Sequence, residues 1–238
     1  MTIQKSNNLN PHVSVDCVIF GFDQNELQIL LIKRGTTKAA YALPGDLIKD
    51  DENLDESASR TLYELTGVRN IFLHQLQAFG DPKRLQGYEN VEWLESIREN
   101  PKARVITVVY YAIVKPKKIH PKAASFASEV KWVPVVDLPN LAFDHNEIIA
   151  QALVHLANNL KKEPLLAFEM LPKKFTFREL QQLYEEVLGK KMDKRNFRKK
   201  FLAAEVLIPL EEKEEGVSHK PARYYQFDRK RVKKKSWL

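Results

Sequence analysis

Apolar and polar positions alternate in distinct rhythms along this 238-residue chain, and the rhythms assign most of its elements. Val13 to Gly21 and Leu27 to Lys33 are rich in Val, Ile, Leu and Phe and flank Asp23-Gln24-Asn25-Glu26, the pattern of a strand hairpin. Tyr41 to Gly45 reads as a short strand entering a Gly-containing loop. From Leu54 the period changes: Leu54, Ala58, Leu62 and Leu65 recur at helical spacing until Gly67 stops the helix. Asn70 to Phe79 and Arg104 to Lys115 are strands, the first followed by the turn Gly80-Asp81-Pro82, and Glu129 to Pro134 is another. The intervening residues 85–103 are polar and irregular, with a short helix expected around Val91 to Arg98. A helix from Asn146 to Lys161 puts Ile148, Ile149, Leu153 and Leu156 on one face. Hairpins interspersed with helices predict an α+β fold, a sandwich with a mixed sheet, rather than a doubly wound one.

Beyond this sandwich the pattern starts afresh. Lys161-Lys162-Glu163-Pro164 is the expected linker, so residues 1–10 read as a disordered arm, 11–163 as one domain and 164–238 as a second. In the second, Thr176-Phe177-Arg178-Glu179 is a capping box opening a helix that Gly189 ends. Asp193 caps a following helix over Lys194 to Ala204. Val206 to Leu210 and Ala222 to Phe227 then form a hairpin around a charged turn. Helix, turn, helix, hairpin within about 60 residues is the order of a winged helix-turn-helix.

Charge sharpens that picture once it is divided. The net +7 resides wholly in residues 165–238, which carry 19 Lys and Arg against 11 Asp and Glu, while the remainder is close to neutral. Such asymmetry points to a polyanionic partner, nucleic acid before membrane. The terminal run Arg229 to Lys235 supplies much of the excess, so the arrangement of the remaining charges matters more than their sum. In the second helix, Phe197, Phe201, Leu202 and Val206 form an apolar stripe to pack on Leu180, Leu183 and Tyr184. The other face carries Lys194, Arg195, Asn196, Arg198 and Lys199, the outfit of a recognition helix for phosphates and base edges. His219, Lys220 and Arg223 decorate the wing, and the acids of Glu211 to Glu215 are placed on its side away from a duplex. Cys17, in an apolar stretch, reads as a buried small hydrophobe. With no signal-like segment and no apolar run of membrane length, a cytoplasmic protein without a membrane partner is expected.

The stretch Leu43-Pro44-Gly45 … Arg60-Thr61-Leu62-Tyr63-Glu64-Leu65-Thr66-Gly67-Val68 resembles the Nudix box, Gly-x5-Glu-x7-Arg-Glu-U-x-Glu-Glu-x-Gly-U with U aliphatic. That resemblance implies a Nudix-type α/β/α sandwich. The family's chemistry needs several carboxylates on one helical face to hold Mg²⁺ against a pyrophosphate. Here the three helix places are Thr61, Glu64 and Leu65, and Asp51 or Glu52 stands near the earlier glutamate after a loop one residue longer than the pattern. A hydroxyl and a leucine do not replace two hard-cation ligands, so no catalytic set and no cofactor are expected. Glu64 is either a residual metal ligand or an exposed helix acid. The alternative is a Mg²⁺-dependent, ADP-ribose pyrophosphatase-like hydrolase with a basic accessory domain.

Phe79-Gly80-Asp81-Pro82-Lys83-Arg84, Phe143-Asp144-His145, Met192 to Lys199 and Lys220 to Phe227, together with the degenerate box, resemble the Nudix-related transcriptional regulators of the NrtR family. The resemblance implies a homodimer on a palindromic DNA operator, controlled by a sugar or nucleotide-sugar effector such as ADP-ribose or a pentose. Arg34, Phe79, Asp81, Arg84, Arg104 and Tyr110 are the candidates for its pocket, arginines for phosphate or sugar oxygens and aromatics for stacking. Tyr110 has the alternative of plain strand core, and Arg104 of an ion pair at the base of the 85–103 insertion. His145 is expected in a cap or a local hydrogen bond rather than on a metal.

Overall fold

The computed structural model describes residues 9–34, 40–85, 103–163, 166–218 and 220–232. Strands β1 (Leu9–Asp23) and β2 (Glu26–Arg34) meet at Gln24 and Asn25, with φ of 50° and 67°. Two positive φ values in a two-residue loop are the geometry whose twist suits a hairpin, here reached without glycine. β3 (Tyr41–Ala42), β4 (Gly45–Lys49), β5 (His74–Phe79), β6 (Ile106–Val114) and β7 (Ala127–Pro134) complete the first sheet. Among the described residues it has seven strands, ordered β3-β2-β1-β6-β5, with β4 on β1 and β7 on β2. The pairs β1–β4, β2–β3 and β5–β6 run antiparallel. β1 is buried without a break from Ser14 to Phe22, as befits a strand covered on both faces.

Helix α1 (Leu54–Thr66) starts at a reciprocal capping box between Asn53 and Glu56 and ends at Gly67, whose φ of 69° is the left-handed stop. It buries Ala58, Leu62 and Leu65, as its spacing requires, together with Ser57, Thr61 and Thr66. Helix α2 (His145–Lys162) follows the last strand of the sheet. Cys17 is fully buried.

Boundaries differ from the sequence reading in instructive ways. Leu9 and Asn10, expected in a disordered arm, already belong to β1. β5 begins at His74, because Asn70 has a left-handed φ of 60° that breaks an extended run. Lys161 and Lys162 continue α2 rather than opening a linker. The helix expected around Val91 to Arg98 lies outside the described residues.

The C-terminal elements are α3 (Leu166–Met170), β8 (Phe175–Thr176), α4 (Phe177–Leu188), α5 (Lys194–Ala203), β9 (Leu207–Lys213), β10 (Arg223–Phe227) and α6 (Arg229–Val232). Strands β8 and β9 flank β10 in an antiparallel three-stranded sheet, completing a winged helix. Thr176 and Glu179 form the expected capping box, Gly189 (φ 63°) stops α4, and Asp193 accepts the Asn196 N–H at 2.8 Å to start α5. Tyr184, Phe197 and Phe201 stack edge-on or tilted at 4.7–5.5 Å between ring centres and pin α5 to α4.

Leu202, expected on that stripe, is 47% exposed instead, because the helix ends within a residue and Val206 takes the buried place. Glu211, Glu212 and Lys213, expected in a turn, extend β9. The chain clusters into two compact units, one within residues 1–20, 29–112 and 119–152, the other within 21–28, 113–118 and 153–238. Among the described residues no helix is long and apolar enough to cross a membrane.

Candidate functional site

Arg60 organises the loop-helix segment of the first unit. Its guanidinium donates to Glu52 through Nε (2.8 Å) and Nη2 (2.6 Å), to Glu64 through Nη1 (3.0 Å) and to the Leu47 carbonyl (3.1 Å). Glu52 also accepts the Lys49 N–H at 2.7 Å, so it takes the place of the loop glutamate that sequence spacing left between Asp51 and Glu52. Burial opposes its ionisation, but the Arg60 and Lys49 donors outweigh that and hold the carboxyl at about 2.

Glu64 is half-exposed, committed to Arg60 and 4.0 Å from Lys49 Nζ. Thr61 and Leu65, at the other two helix positions, are buried. The donor set does not fit a divalent cation: one carboxylate already neutralised by arginine, one hydroxyl and one leucine are no hard-cation site. No cluster of three or more His, Cys, Asp or Glu that could hold a metal is found among the described residues.

A second polar cluster lies deep in the same unit, around Asp16. The Thr107 hydroxyl donates to its Oδ2 at 2.7 Å, Arg84 Nη2 stands 3.5 Å from the same oxygen, and His145 Nε2 is 3.4 Å from Oδ1. Arg84 grips Asp144 through two parallel bonds of 2.9 Å, a forked pair with 4% exposure at the arginine. His145 Nδ1 accepts the Leu43 N–H at 2.9 Å, which fixes the remaining proton on Nε2, toward Asp16. Burial alone would raise the Asp16 carboxyl; His145, Arg84 and Thr107 outweigh it and hold it at about 2. Gly45 is required here, since a Cβ at that position would sit 1.8 Å from Asp16 Oδ1. Spacing gave no sign of this cluster. The available signal was an aspartate in the middle of an apolar strand, which can stay buried only if other groups satisfy it.

The six candidates for an effector pocket therefore fall into different environments. Arg84 is spent in the buried cluster. Tyr110 is buried and its hydroxyl donates to Asp55; burial and that acceptor push the phenol upward. Phe79 is half-buried at the end of β5, and the exposed Asp81 accepts the Lys83 N–H of its own loop at 2.7 Å. Arg104 is exposed and donates to the Gly80 carbonyl at 2.8 Å, so Phe79, Asp81 and Arg104 gather around Gly80. Arg34 ends β2, and its side chain lies outside the described residues, as does the 86–102 stretch.

In the second unit, Lys194, Arg195, Asn196, Arg198 and Lys199 are all exposed on α5, with Phe197 and Phe201 buried beneath them. Lys220 and Arg223 are exposed on the wing, and His219 lies outside the described residues. The turn into α5 is built on the buried Glu185. Its carboxylate accepts from Gln181 Nε2 (2.8 Å), the Met192 N–H (2.9 Å) and Lys191 Nζ (3.0 Å), and its carbonyl accepts from Gly189 and Lys190. Burial works against that carboxylate, and these donors together bring it below the usual range. The acids of the wing are engaged as well: Glu212 pairs with Lys174, and Glu214 accepts the Ala222 N–H at 3.0 Å.

Comparison with known proteins matches both units. The NrtR DNA-binding winged helix domain matches residues 167–227 and the NUDIX domain residues 10–152. The ADPR responsive transcriptional repressor NtrR of Acinetobacter baylyi is 32% identical over 232 residues, 94% of this chain and 85% of that protein. The crystal structure of Shewanella oneidensis NrtR complexed with a 27mer DNA superimposes with a TM-score of 0.63 at 27% identity, covering 93% of this chain and 95% of that one. The NUDIX domain of the Shewanella protein, crystallised with ADP ribose, has a TM-score of 0.50 at 28% identity, covering 62% of this chain and 89% of that one.

Proposed function

This chain belongs to the NrtR family, and on that premise we propose that it is a transcriptional regulator whose Nudix domain senses ADP-ribose or a related nucleotide sugar without cleaving it. The observation that carries the reading is a pairing of gain and loss. α5 presents Lys194, Arg195, Arg198 and Lys199 outward on an aromatic-anchored winged helix, while two of three Nudix helix carboxylates are replaced by the buried Thr61 and Leu65. A domain that keeps the Nudix fold and lacks the cation ligands is suited to bind its ligand intact. The relative named as responsive to ADPR and the solved Nudix domain with ADP ribose support that choice of ligand over a pentose. Homodimers reading a palindromic operator in the cytoplasm complete the proposal.

The test is fluorescence anisotropy with the duplex upstream of the chain's own gene and a scrambled duplex, in a salt series, with and without ADP-ribose. The expected result is a preference for the natural duplex, an affinity that falls steeply with salt, and a shift on adding ADP-ribose. Equal binding to both duplexes overturns the DNA reading. With Mg²⁺ present, ADP-ribose should stay intact; turnover abolished by Glu64→Gln would establish a hydrolase instead.

A further inference from the structure

Arg198 differs from its basic neighbours on α5. Its Nη2 donates to the Tyr225 hydroxyl at 3.1 Å, and its guanidinium carbon lies 4.6 Å from the centre of the Phe177 ring. Phe177 and Tyr225 meet edge to face at 4.8 Å and 80°, and Tyr225 is buried in the middle of the wing sheet while Phe177 opens α4. The guanidinium is thereby held at two points supplied by two other elements, yet the residue remains exposed. Lys194, Arg195 and Lys199 have no hydrogen bond or ion pair to a side chain among the described residues.

We infer that Arg198 is the residue that reads sequence on the DNA, as a forked donor to a guanine edge in the major groove, with Tyr225 and Phe177 as its positioning residues. The inference rests on the DNA-binding reading above. Three physical facts carry it. Guanine offers O6 and N7 as paired acceptors, and a planar fork matches them only when its direction is set. A long side chain ordinarily loses rotamer freedom on binding, and here the stack and the hydroxyl have already restricted it. Phosphate contacts need charge rather than direction, which the unrestrained Lys194, Arg195 and Lys199 supply. One guanidinium N–H goes to Tyr225, and the other donors stay available for a base.

The experiment uses the full chain and duplexes that the wild-type protein selects from a random library, each then varied one base pair at a time. Arg198→Lys keeps the charge and the ring contact but removes the fork; it should lose about ten-fold in discrimination at one G·C pair. Tyr225→Phe removes a single oxygen and should relax discrimination at that same pair by about three-fold. Lys199→Ala should instead weaken all duplexes alike and lower the salt slope by about one. Thermal unfolding of each variant separates this from a brace within the domain. A lowered melting temperature with unchanged discrimination in Arg198→Lys and Tyr225→Phe overturns the inference. A wild-type protein that selects no sequence overturns it together with the DNA-binding reading, whereas clear selection with unaltered variants removes only the role of Arg198.

Discussion

Thr61 and Tyr184 carry buried hydroxyl groups that find no hydrogen-bond partner among the described residues. An unsatisfied hydroxyl costs roughly 1–3 kcal/mol of desolvation, so its removal should be neutral or stabilising. Tyr184→Phe is expected to leave the melting temperature unchanged or raised; a fall of several degrees would reveal a partner. Thr61 makes the reverse point. Restoring the carboxylates with Thr61→Glu and Leu65→Glu would bury two charges where the helix packs, so the variant should melt earlier and gain no Mg²⁺-dependent cleavage of ADP-ribose. The Arg84–Asp144 pair is the opposite case, fully satisfied. Truncating Asp144 to Ala removes both bonds of the fork and leaves the buried guanidinium only the longer contact to Asp16, so it should cost about 3 kcal/mol in urea unfolding. Asp16 sets a pH window. Its folded value of about 2 lies below the ordinary 3.8, so its stabilising contribution is complete above about 3.8 and is lost as pH falls through 2. Stability measured between pH 5 and 2 should therefore fall less steeply in Asp16→Asn, after allowance for its lower starting value.

At the scale of elements, the caps were the most legible feature. Thr176 with Glu179, Gly189 and Asp193 each occupy the role their residue type announces, because capping is a local contest between a side chain and the next few amides. Asp193→Ala should destabilise the winged helix by about 1 kcal/mol and weaken DNA binding by fraying the start of α5, readable as a lower melting temperature. Strand ends were less legible. His74 rather than Asn70 opens β5 because one residue turns left-handed, and Glu211 to Lys213 join β9 because pairing with β10 outweighs their polarity. Leu202 reads as stripe by spacing alone, yet helix length decides which side of the last turn is covered.

For the whole molecule, two units and a division of labour were visible in the sequence: the charge asymmetry, the helix-helix-hairpin order and the degenerate box all depend on residues near one another in the chain. The run Arg229 to Lys235 tests that division. Removing residues 233–238 should lower affinity for every duplex and flatten the salt dependence, leaving sequence preference in place, because diffuse charge attracts phosphates without reading bases. What only the tertiary structure decided are the contacts made across long separations. Asp16, Arg84, Asp144 and His145 converge from a strand, a loop and a helix start, turning an arginine that looked fit for a ligand into part of the core. Tyr225 and Phe177 reach Arg198 in the same way, from 27 and 21 residues distant. Periodicity and capping report local geometry, so the sequence by itself determined the elements and their faces. Which charge is buried and which is left for a partner depends on packing between elements, and no spacing along the chain encodes it.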